Sequence, residues 1–85
     1  MKVLIPGALR SYTDAAHAEA DGATLAEVVA ALDRQYPGIR FRMIDEQGRI
    51  RRHIRFFFDG GQVLDTAQPL PADGELIIVQ ALSGG

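Results

Sequence analysis

The sequence has 85 residues, of which 47% are hydrophobic and 24% charged, with a net charge of −2 and an isoelectric point near 5.5. This length suits one domain, residues 1–85, with a small core. The acidic balance argues against nucleic-acid binding. Because cysteine is absent, disulfide bonds, thiolate metal ligands and a cysteine nucleophile are excluded.

No apolar run is long enough to cross a membrane, and the first residues form too short an apolar stretch, broken by Pro6, for a secretory signal. We therefore expect a cytoplasmic protein that contacts neither a membrane nor nucleic acid. No phosphate-binding loop of the form GxxxxGK[ST] is present, so nucleotide chemistry would require a partner.

The first twenty residues predict two short strands. Lys2–Ile5 is an apolar run closed by Pro6-Gly7, as is typical of a strand. We interpret residues 9–13 as a turn or loop. The alanine-rich stretch that follows has helical propensity but is too short for an independent helix. We therefore interpret His17–Ala20 as a short edge strand beside the first one.

The clearest pattern is that of one main helix. After a turn at residues 21–23, Thr24 and Glu27 have the spacing of a capping box, with Thr24 as the N-cap. Pro37-Gly38 ends the helix. One helical face carries all the large apolar residues, which predicts packing on a core rather than a cofactor site: Leu25, Val28, Val29, Leu32 and Tyr36.

Residues 39–52 are irregular and basic. We expect Phe41 and Ile44 to anchor a short helical turn to the core, and Asp45–Gly48 to form a turn. A charged run is usually a solvated face. The alternative is a docking patch for an acidic partner, since arginine suits carboxylate recognition. Six of the nine basic residues lie between positions 40 and 55: Arg40, Arg42, Arg49, Arg51, Arg52 and Arg55.

A second apolar strand is predicted at Ile54–Phe58. Because side chains alternate along a strand, Ile54, Phe56 and Phe58 share one face, and Arg55 and Phe57 share the other. If the first face packs on the helix, Phe57 and Arg55 lie on the far side, and an exposed aromatic beside arginine is typical of an interface. The alternative is that a neighbouring strand or the arginine stem covers Phe57.

The remaining elements complete a sheet. Asp59–Gln62 is interpreted as a hairpin turn, and Val63-Leu64 as the start of the returning strand. Residues 65–72 form a loop with two prolines. After a tight turn at Asp73-Gly74, residues 75–81 form a nearly continuous apolar strand, which favours a central position in the sheet.

The sequence then closes with Ala81-Leu82-Ser83-Gly84-Gly85. A glycine pair has no side chains, so it can pass through a slot too narrow for other residues. The carboxylate of Gly85 is ionised near neutrality and can act as a nucleophile. We expect Gly85 to be the reactive residue and Gly84 its narrow approach. The alternative is an ordinary loose chain end.

The side chains show no enzymatic constellation. His17 and His53 lack the spacing of metal ligands, and Ser11 and Ser83 match no known nucleophile motif. We therefore predict that the chain is the substrate of an enzyme or a carrier, and not itself an enzyme, with no cofactor and no metal of its own.

One helix over a mixed sheet predicts an α+β domain in which about five strands pack on the helix. A central last strand would run parallel to the first, with the helix in the right-handed connection between them. This order and size resemble the β-grasp fold of ubiquitin, and the resemblance supplies that topology.

The sequence resembles the MoaD/ThiS family of sulfur carriers, and looks most like its cysteine-biosynthesis (CysO-like) branch. The resemblance spans nearly the whole chain, and the Gly-Gly ending is its most specific element. The matching residues are Ile5-Pro6, Leu9-Arg10, Tyr12-Thr13, Gly22 to Leu25, Tyr36 to Ile39, Asp45-Glu46, Gly48, Arg51-Arg52-His53, Leu70, Asp73-Gly74-Glu75 and Ala81 to Gly85.

The resemblance implies a reaction sequence carried out by partners. An E1-like adenylating enzyme would use ATP and magnesium to activate the Gly85 carboxylate, and a sulfur donor would then convert it to a thiocarboxylate. In the cysteine branch, a pyridoxal-phosphate-dependent cysteine synthase would accept the sulfur and a zinc metallopeptidase would release cysteine. Arg55, Phe57, Leu82 and Ser83 are the expected partner-binding residues.

Three alternatives stay open at this point. The chain could be the small subunit of molybdopterin synthase, which uses the same activated terminus. It could be a ubiquitin-like modifier joined through Gly85 to lysines of other proteins. It could also be a plain binding domain with an incidental tail.

Overall fold

The structure is a computed structural model that describes residues 1–81. Its elements are β1 (Lys2–Leu4), a 3₁₀ turn (Gly7–Leu9), α1 (Arg10–Thr13), β2 (His17–Glu19), α2 (Leu25–Gln35), α3 (Ile39–Met43), β3 (Ile54–Phe58), β4 (Gly61–Val63) and β5 (Glu75–Gln80). The strands form one sheet in the order β2-β1-β5-β3-β4. Strands β1 and β5 are parallel and the other pairs antiparallel. This is the predicted β-grasp arrangement, with β5 at the centre.

The core lies between one face of this sheet and helix α2. Strand pairing sets Val3 opposite Leu76, and Leu76 opposite Phe58, so these side chains form one buried row. A second row sets Phe56 between Ile78 and Val63. Alternate residues of each strand point to the same side of the sheet, so both rows lie on one face. This face packs against the apolar face of α2.

Helix α2 begins and ends where the sequence predicts. The Thr24 hydroxyl accepts a hydrogen bond from the Glu27 N–H at 3.3 Å. The Glu27 carboxylate, however, accepts from the N–H of Ala23 at 3.2 Å, one residue before the N-cap, so the capping box is shifted by one position. Leu25, Val28, Val29 and Leu32 are fully buried, whereas Tyr36 caps the C-terminus and is partly buried against the core.

The loop between β4 and β5 closes over the start of α2. Its carbonyls at Gln68 and Thr66 accept hydrogen bonds from the N–H groups of Leu25 and Ala26 at 3.1 and 2.8 Å. These are first-turn donors that have no partner within the helix. Leu70 of the same loop is buried. The loop is therefore fastened to the helix although it has no regular structure of its own.

The prediction of a loop at residues 9–13 is wrong. These residues form the end of the 3₁₀ turn and the short helix α1. Leu9 and Thr13 are both buried, since residues four apart lie on one helical face. Asp14 ends α1 with a left-handed φ of 57°, and its N–H donates to the carbonyl of Arg10. The following edge strand, predicted at His17–Ala20, is confirmed as His17–Glu19.

The predicted helical turn after Gly38 is confirmed, but the role given to Phe41 is wrong. Ile39 and Met43 are fully buried, and Ile44 is 1% exposed, whereas Phe41 is 58% exposed. Ile39 and Met43 are four residues apart and share the inner face of α3. Phe41 lies two residues from each, which rotates it about 200° to the solvent side.

The turn between β3 and β4 is tighter than predicted. Phe58 pairs with Gly61, so only Asp59 and Gly60 form the loop, with left-handed φ values of 48° and 86°. This is the two-residue hairpin geometry that glycine favours. The return strand includes Val63, but Leu64 lies beyond it and is 75% exposed. Within residues 1–81, no helix is long and apolar enough to span a membrane.

Candidate functional site: the open sheet face and the root of the tail

The predicted reactive residues, Gly84 and Gly85, lie outside the described part of the chain, as do Leu82 and Ser83. The structure does show where the chain leads into them. The N–H of Ala81 donates to the carbonyl of His53 at 2.8 Å, which extends the pairing of β5 with β3 by one residue. The last described residue is therefore fixed to the sheet beside His53, and this point is the root of the tail (residues 82–85).

The sheet face opposite α2 carries an apolar band. Strand register sets Ile77 of β5 directly between Leu4 of β1 and Phe57 of β3, and all three side chains are half-buried. Val79, the next residue of β5 on this side, is 39% exposed. We call this surface the open face and define it by Leu4, Arg55, Phe57, Ile77 and Val79.

The apolar side chains of β5 thus lie on both faces of the sheet. Leu76 and Ile78 are buried in the core, as a central strand requires, whereas Ile77 and Val79 reach the open face. A soluble monomer gains no folding energy from large apolar side chains that stay in contact with water. The band is partly exposed, with Val79 as its most exposed member, and a continuous apolar surface of this kind is a candidate binding surface.

Phe57 and Arg55 lie on the open face, as the alternation along β3 predicts. Phe57 is only half-buried, so neither β4 nor β5 covers it fully. The Arg55 guanidinium donates to the carbonyls of Arg52 and Ile54, so its Nη1 is directed at the preceding backbone. The exposed Arg55 side chain borders the apolar band at the position opposite Val79.

Polar side chains border the band at both edges of the sheet. His17 of β2 is the register partner of Leu4, and Gln62 of β4 that of Phe57. The His17 Nε2 lies 3.9 Å from the carboxylate of Glu75, within reach of an ion pair when the histidine is protonated. An apolar centre with a polar rim is the usual composition of a protein–protein interface.

Residues 1–81 contain no group of three or more His, Asp or Glu side chains placed to hold a metal ion. The N–H of Arg49 donates to the Asp45 carboxylate and holds the pKa of Asp45 below its ordinary value of 3.8, a shift that the N–H of Gln47 adds to and desolvation opposes. These bonds close the turn at Asp45–Gly48, so the lowered pKa has a structural origin.

The comparison with family models decides the family. The model of the ThiS family matches residues 3–85. The chain belongs to the ThiS family. Its members are sulfur carriers that E1-like enzymes act upon and are not enzymes themselves. The match includes the four residues of the tail and the central residues of the open face, Leu4, Phe57 and Ile77.

Solved structures confirm the β-grasp fold. The chain is similar to CysO in the Amycolatopsis orientalis BexX/CysO complex, with 27% identity, a TM-score of 0.90, and coverage of 99% of this chain and 98% of the other. It is also similar to CysO of Mycobacterium tuberculosis, with 26% identity, a TM-score of 0.88, and coverage of 95% and 98%.

SAMP1 of Haloferax volcanii has the same fold at 23% identity, with a TM-score of 0.79 and coverage of 100% of this chain and 98% of that one. At that identity the likeness concerns the fold alone. A search of curated protein sequences gave no match. The comparisons therefore establish a ThiS-family sulfur carrier and leave the acceptor of its sulfur to be determined.

The sequence indicated only part of this surface. It placed Phe57 and Arg55 together because they alternate with the buried residues of β3. It did not single out Leu4, Ile77 or Val79, since both β1 and β5 are apolar runs without alternation. The signal that joins them is the parallel pairing of β1 with β5, which depends on the whole fold.

Proposed function

We propose that the carboxylate of Gly85 becomes a thiocarboxylate and supplies sulfur for cysteine biosynthesis. The observation that carries this proposal is the ThiS-family match through residue 85, which includes Gly84 and Gly85. The cysteine role is supported by the similarity to two CysO chains over nearly their full lengths. The cytoplasmic location predicted from the sequence remains part of this proposal.

The chemistry explains why an activating enzyme is needed. A carboxylate is a poor electrophile because oxide is a poor leaving group. Adenylation by an E1-like enzyme, with ATP and magnesium, joins the carboxylate oxygen to AMP and releases pyrophosphate. A sulfur nucleophile then attacks the acyl carbon and displaces AMP, which leaves a C-terminal thiocarboxylate on Gly85. Gly84 and Gly85 add no side chains that would obstruct this reaction in a narrow channel.

The later steps would regenerate the carrier. The thiocarboxylate sulfur adds to an aminoacrylate supplied by a pyridoxal-phosphate-dependent cysteine synthase, and the acyl group moves from sulfur to nitrogen. A zinc metallopeptidase then hydrolyses the new amide bond, releasing cysteine and restoring the Gly85 carboxylate. In this scheme the chain itself binds no cofactor, and the ATP, magnesium, pyridoxal phosphate and zinc belong to its partners.

We propose that these partners bind the open face. Leu4, Ile77 and Phe57 provide an apolar centre, and Arg55 provides a charged border. Leu82 and Ser83 would continue the contact from the sheet toward the reactive glycines. Because Ile77 and Val79 belong to the strand that ends at the root of the tail, a partner bound to the open face would also hold the tail in a defined direction.

The direct test is reconstitution with the host's E1-like enzyme, ATP, magnesium and sulfide, followed by intact-mass measurement. We expect one oxygen of the chain to be replaced by sulfur, and the modified protein to yield cysteine with a cysteine synthase and the peptidase. A variant with one alanine appended after Gly85 is the control and should remain unmodified. An unmodified parent chain would refute the carrier role. Sulfur transfer to a molybdopterin precursor or ligation to lysines, without cysteine, would refute the cysteine role.

A further inference from the structure

The basic residues of the chain are concentrated in one segment. Residues 40–55 contain six arginines against Asp45 and Glu46, which gives this segment a net charge of +4. The rest of the chain, with nine acidic and three basic residues, carries −6. The molecule is therefore polarised in charge although its net charge is only −2. A separation of positive and negative charge of this size influences the direction from which a charged partner approaches and the orientation in which it binds.

The fold brings part of this segment together on one surface. The turn at Asp45–Gly48 reverses the chain, and the N–H of Arg51 donates to the carbonyl of Met43 at 2.9 Å. The Arg51 Nε donates to the carbonyl of Phe41 at 2.7 Å, and its guanidinium carbon lies 4.6 Å from the centre of the Phe41 ring. Phe41 is thus held on the surface by an arginine, in a cation–π contact, and not by burial in the core.

This surface adjoins the root of the tail. A shallow concavity is lined by Phe41, Arg42, Glu46, Arg51 and His53. The carbonyl of His53 is the group that accepts the hydrogen bond from Ala81. The concavity therefore lies beside the root of the tail. We define the arginine surface as Phe41, Arg42, Arg51, Arg52 and His53.

The arginines of this surface form no ion pair among residues 1–81, although Glu46 lines the same concavity. Among residues 1–81, the ion pair within this segment joins Arg49 to Asp45 at 3.7 Å, which leaves the other five arginines without a carboxylate within 4.0 Å. Arg42 and Arg52 are exposed, and neither side chain takes part in a hydrogen bond within the same residues. Positive charge that does not hold the fold together remains available for a partner.

We infer that the arginine surface docks against carboxylates at the mouth of the tail-binding channel of the E1-like enzyme, as a contact separate from the open face. This inference rests on the proposed function, because it assumes that the enzyme receives the tail. Arginine binds carboxylates through two parallel hydrogen bonds, which fixes orientation as well as adding energy. An arginine clamped on an exposed aromatic ring is also typical of the residues that dominate interface energies.

A nucleic-acid partner fits the charge distribution less well. The remainder of the domain carries −6, which repels a phosphate backbone that extends beyond the patch. A protein partner needs acidic residues only around the channel mouth. Both the local positive charge and the negative charge of the remaining domain therefore favour a protein partner whose acidic residues surround only the channel mouth.

The test measures adenylation kinetics with the host's E1-like enzyme at low and at moderate salt. The variants are R42E/R52E, which reverses two charges of the surface, and R42K/R52K, which keeps the charge but loses the two-pronged geometry. The control is R34E, which changes an exposed arginine on α2, outside the segment. Far-ultraviolet circular dichroism and melting temperature establish that each variant folds.

We expect R42E/R52E to raise KM for the carrier about tenfold at low salt, with kcat unchanged and with a weaker dependence of KM on salt. R42K/R52K should give a smaller increase, and R34E should stay within about twofold of the parent. A folded R42E/R52E variant with the parent's KM and salt dependence would overturn the inference and leave the proposed function intact. A parent chain that is never adenylated would overturn both.

The same variants distinguish the nucleic-acid alternative. A labelled single-stranded RNA oligonucleotide should bind neither the parent nor R42E/R52E at physiological salt. Suppose instead that the parent binds the RNA, that R42E/R52E does not, and that R42E/R52E is adenylated with the parent's kinetics. The arginine surface would then bind RNA and not the enzyme.

Discussion

Two adjacent phenylalanines on β3 allow the same substitution to be made on the two faces of one strand. Phe56 is fully buried in the core, whereas Phe57 is half-buried on the open face. Replacing Phe56 with alanine should therefore mainly reduce stability. Replacing Phe57 with alanine should mainly reduce recognition by the E1-like enzyme. The two variants remove the same atoms one residue apart, so each is the control for the other.

The magnitudes follow from burial. Phe56→Ala removes a fully buried ring, which costs about 3–5 kcal/mol, a large share of the roughly 4–13 kcal/mol expected for a domain of this size. Its melting temperature should fall by roughly 12–40 °C. Phe57→Ala removes a ring that is only partly exposed, so it should cost less than the Phe56 change, about 1–2 kcal/mol, or roughly 4–16 °C. If Phe57 is an interface anchor, its loss costs about 2 kcal/mol of binding, which is about a thirtyfold increase in KM.

The assays are urea unfolding followed by circular dichroism, and initial rates of thiocarboxylate formation. If Phe56→Ala does not fold, Phe56→Leu provides a milder substitution at the same buried position. An equal loss of stability for the two positions would show that the open face is covered in solution. A Phe57→Ala variant that is activated as well as the parent would show that this face does not dock the enzyme.

Three further predictions concern the scaffold. In Gly22→Ala the new Cβ would lie 2.6 Å from both the Glu27 Cβ and the Val28 nitrogen, so we expect a loss of about 1–3 kcal/mol in urea unfolding. Gly7→Ala meets nothing within 4 Å and is the matched control. Folding lowers the pKa of Asp45, so its carboxylate stabilises the protein above its ordinary pKa of 3.8, and this contribution is lost as the pH falls through the lowered pKa. Asp45→Asn should therefore destabilise the protein to urea at neutral pH, and its difference from the parent should shrink as the pH falls below 3.8. Phe41→Ala should change the melting temperature by only a few degrees, since the ring is 58% exposed.

The sequence predicts the regular elements well because their patterns are local. The stripe from Leu25 to Leu32 and the alternation of Ile54, Phe56 and Phe58 each report a periodicity that the structure confirms. The loop predicted at residues 9–13 was wrong because α1 has a single turn, too short for a periodic signal. It is stabilised by contacts outside the helix itself, such as the Arg10 Nε bond to the carbonyl of Ile5.

Phe41 shows a second limit of sequence patterns. A large aromatic residue in an apolar-looking stretch is expected in the core, but a five-residue helix buries only one narrow face. Here Ile39 and Met43 occupy that face, and Phe41 packs instead against Arg51. The sequence contains both partners of that contact, yet they are ten residues apart, and only the turn at Asp45–Gly48 brings them together.

Some residues of the candidate site can be predicted from local sequence patterns, and others only from contacts between distant parts of the chain. The alternation along β3 was enough to place Phe57 and Arg55 on one face. The contributions of Leu4 and Ile77 require the parallel pairing of the first and last strands, and the position of the arginine surface requires the bond between Ala81 and His53. The run of arginines could be interpreted from the sequence as a solvated face or as a docking patch, and the position of Arg42, Arg51 and His53 beside the root of the tail favours the second.

Strand β5 links these features mechanically. Leu76 and Ile78 anchor it in the core, and hydrogen bonds to β1 and β3 hold both of its edges, so the strand cannot shift without disrupting the sheet. The same strand presents Ile77 and Val79 on the open face and ends at the root of the tail. Under the proposed function, a partner bound to the open face would receive the tail from this fixed root, with the arginine surface beside it. Recognition of the folded domain would in this way direct the Gly85 carboxylate to a catalytic centre of the partner.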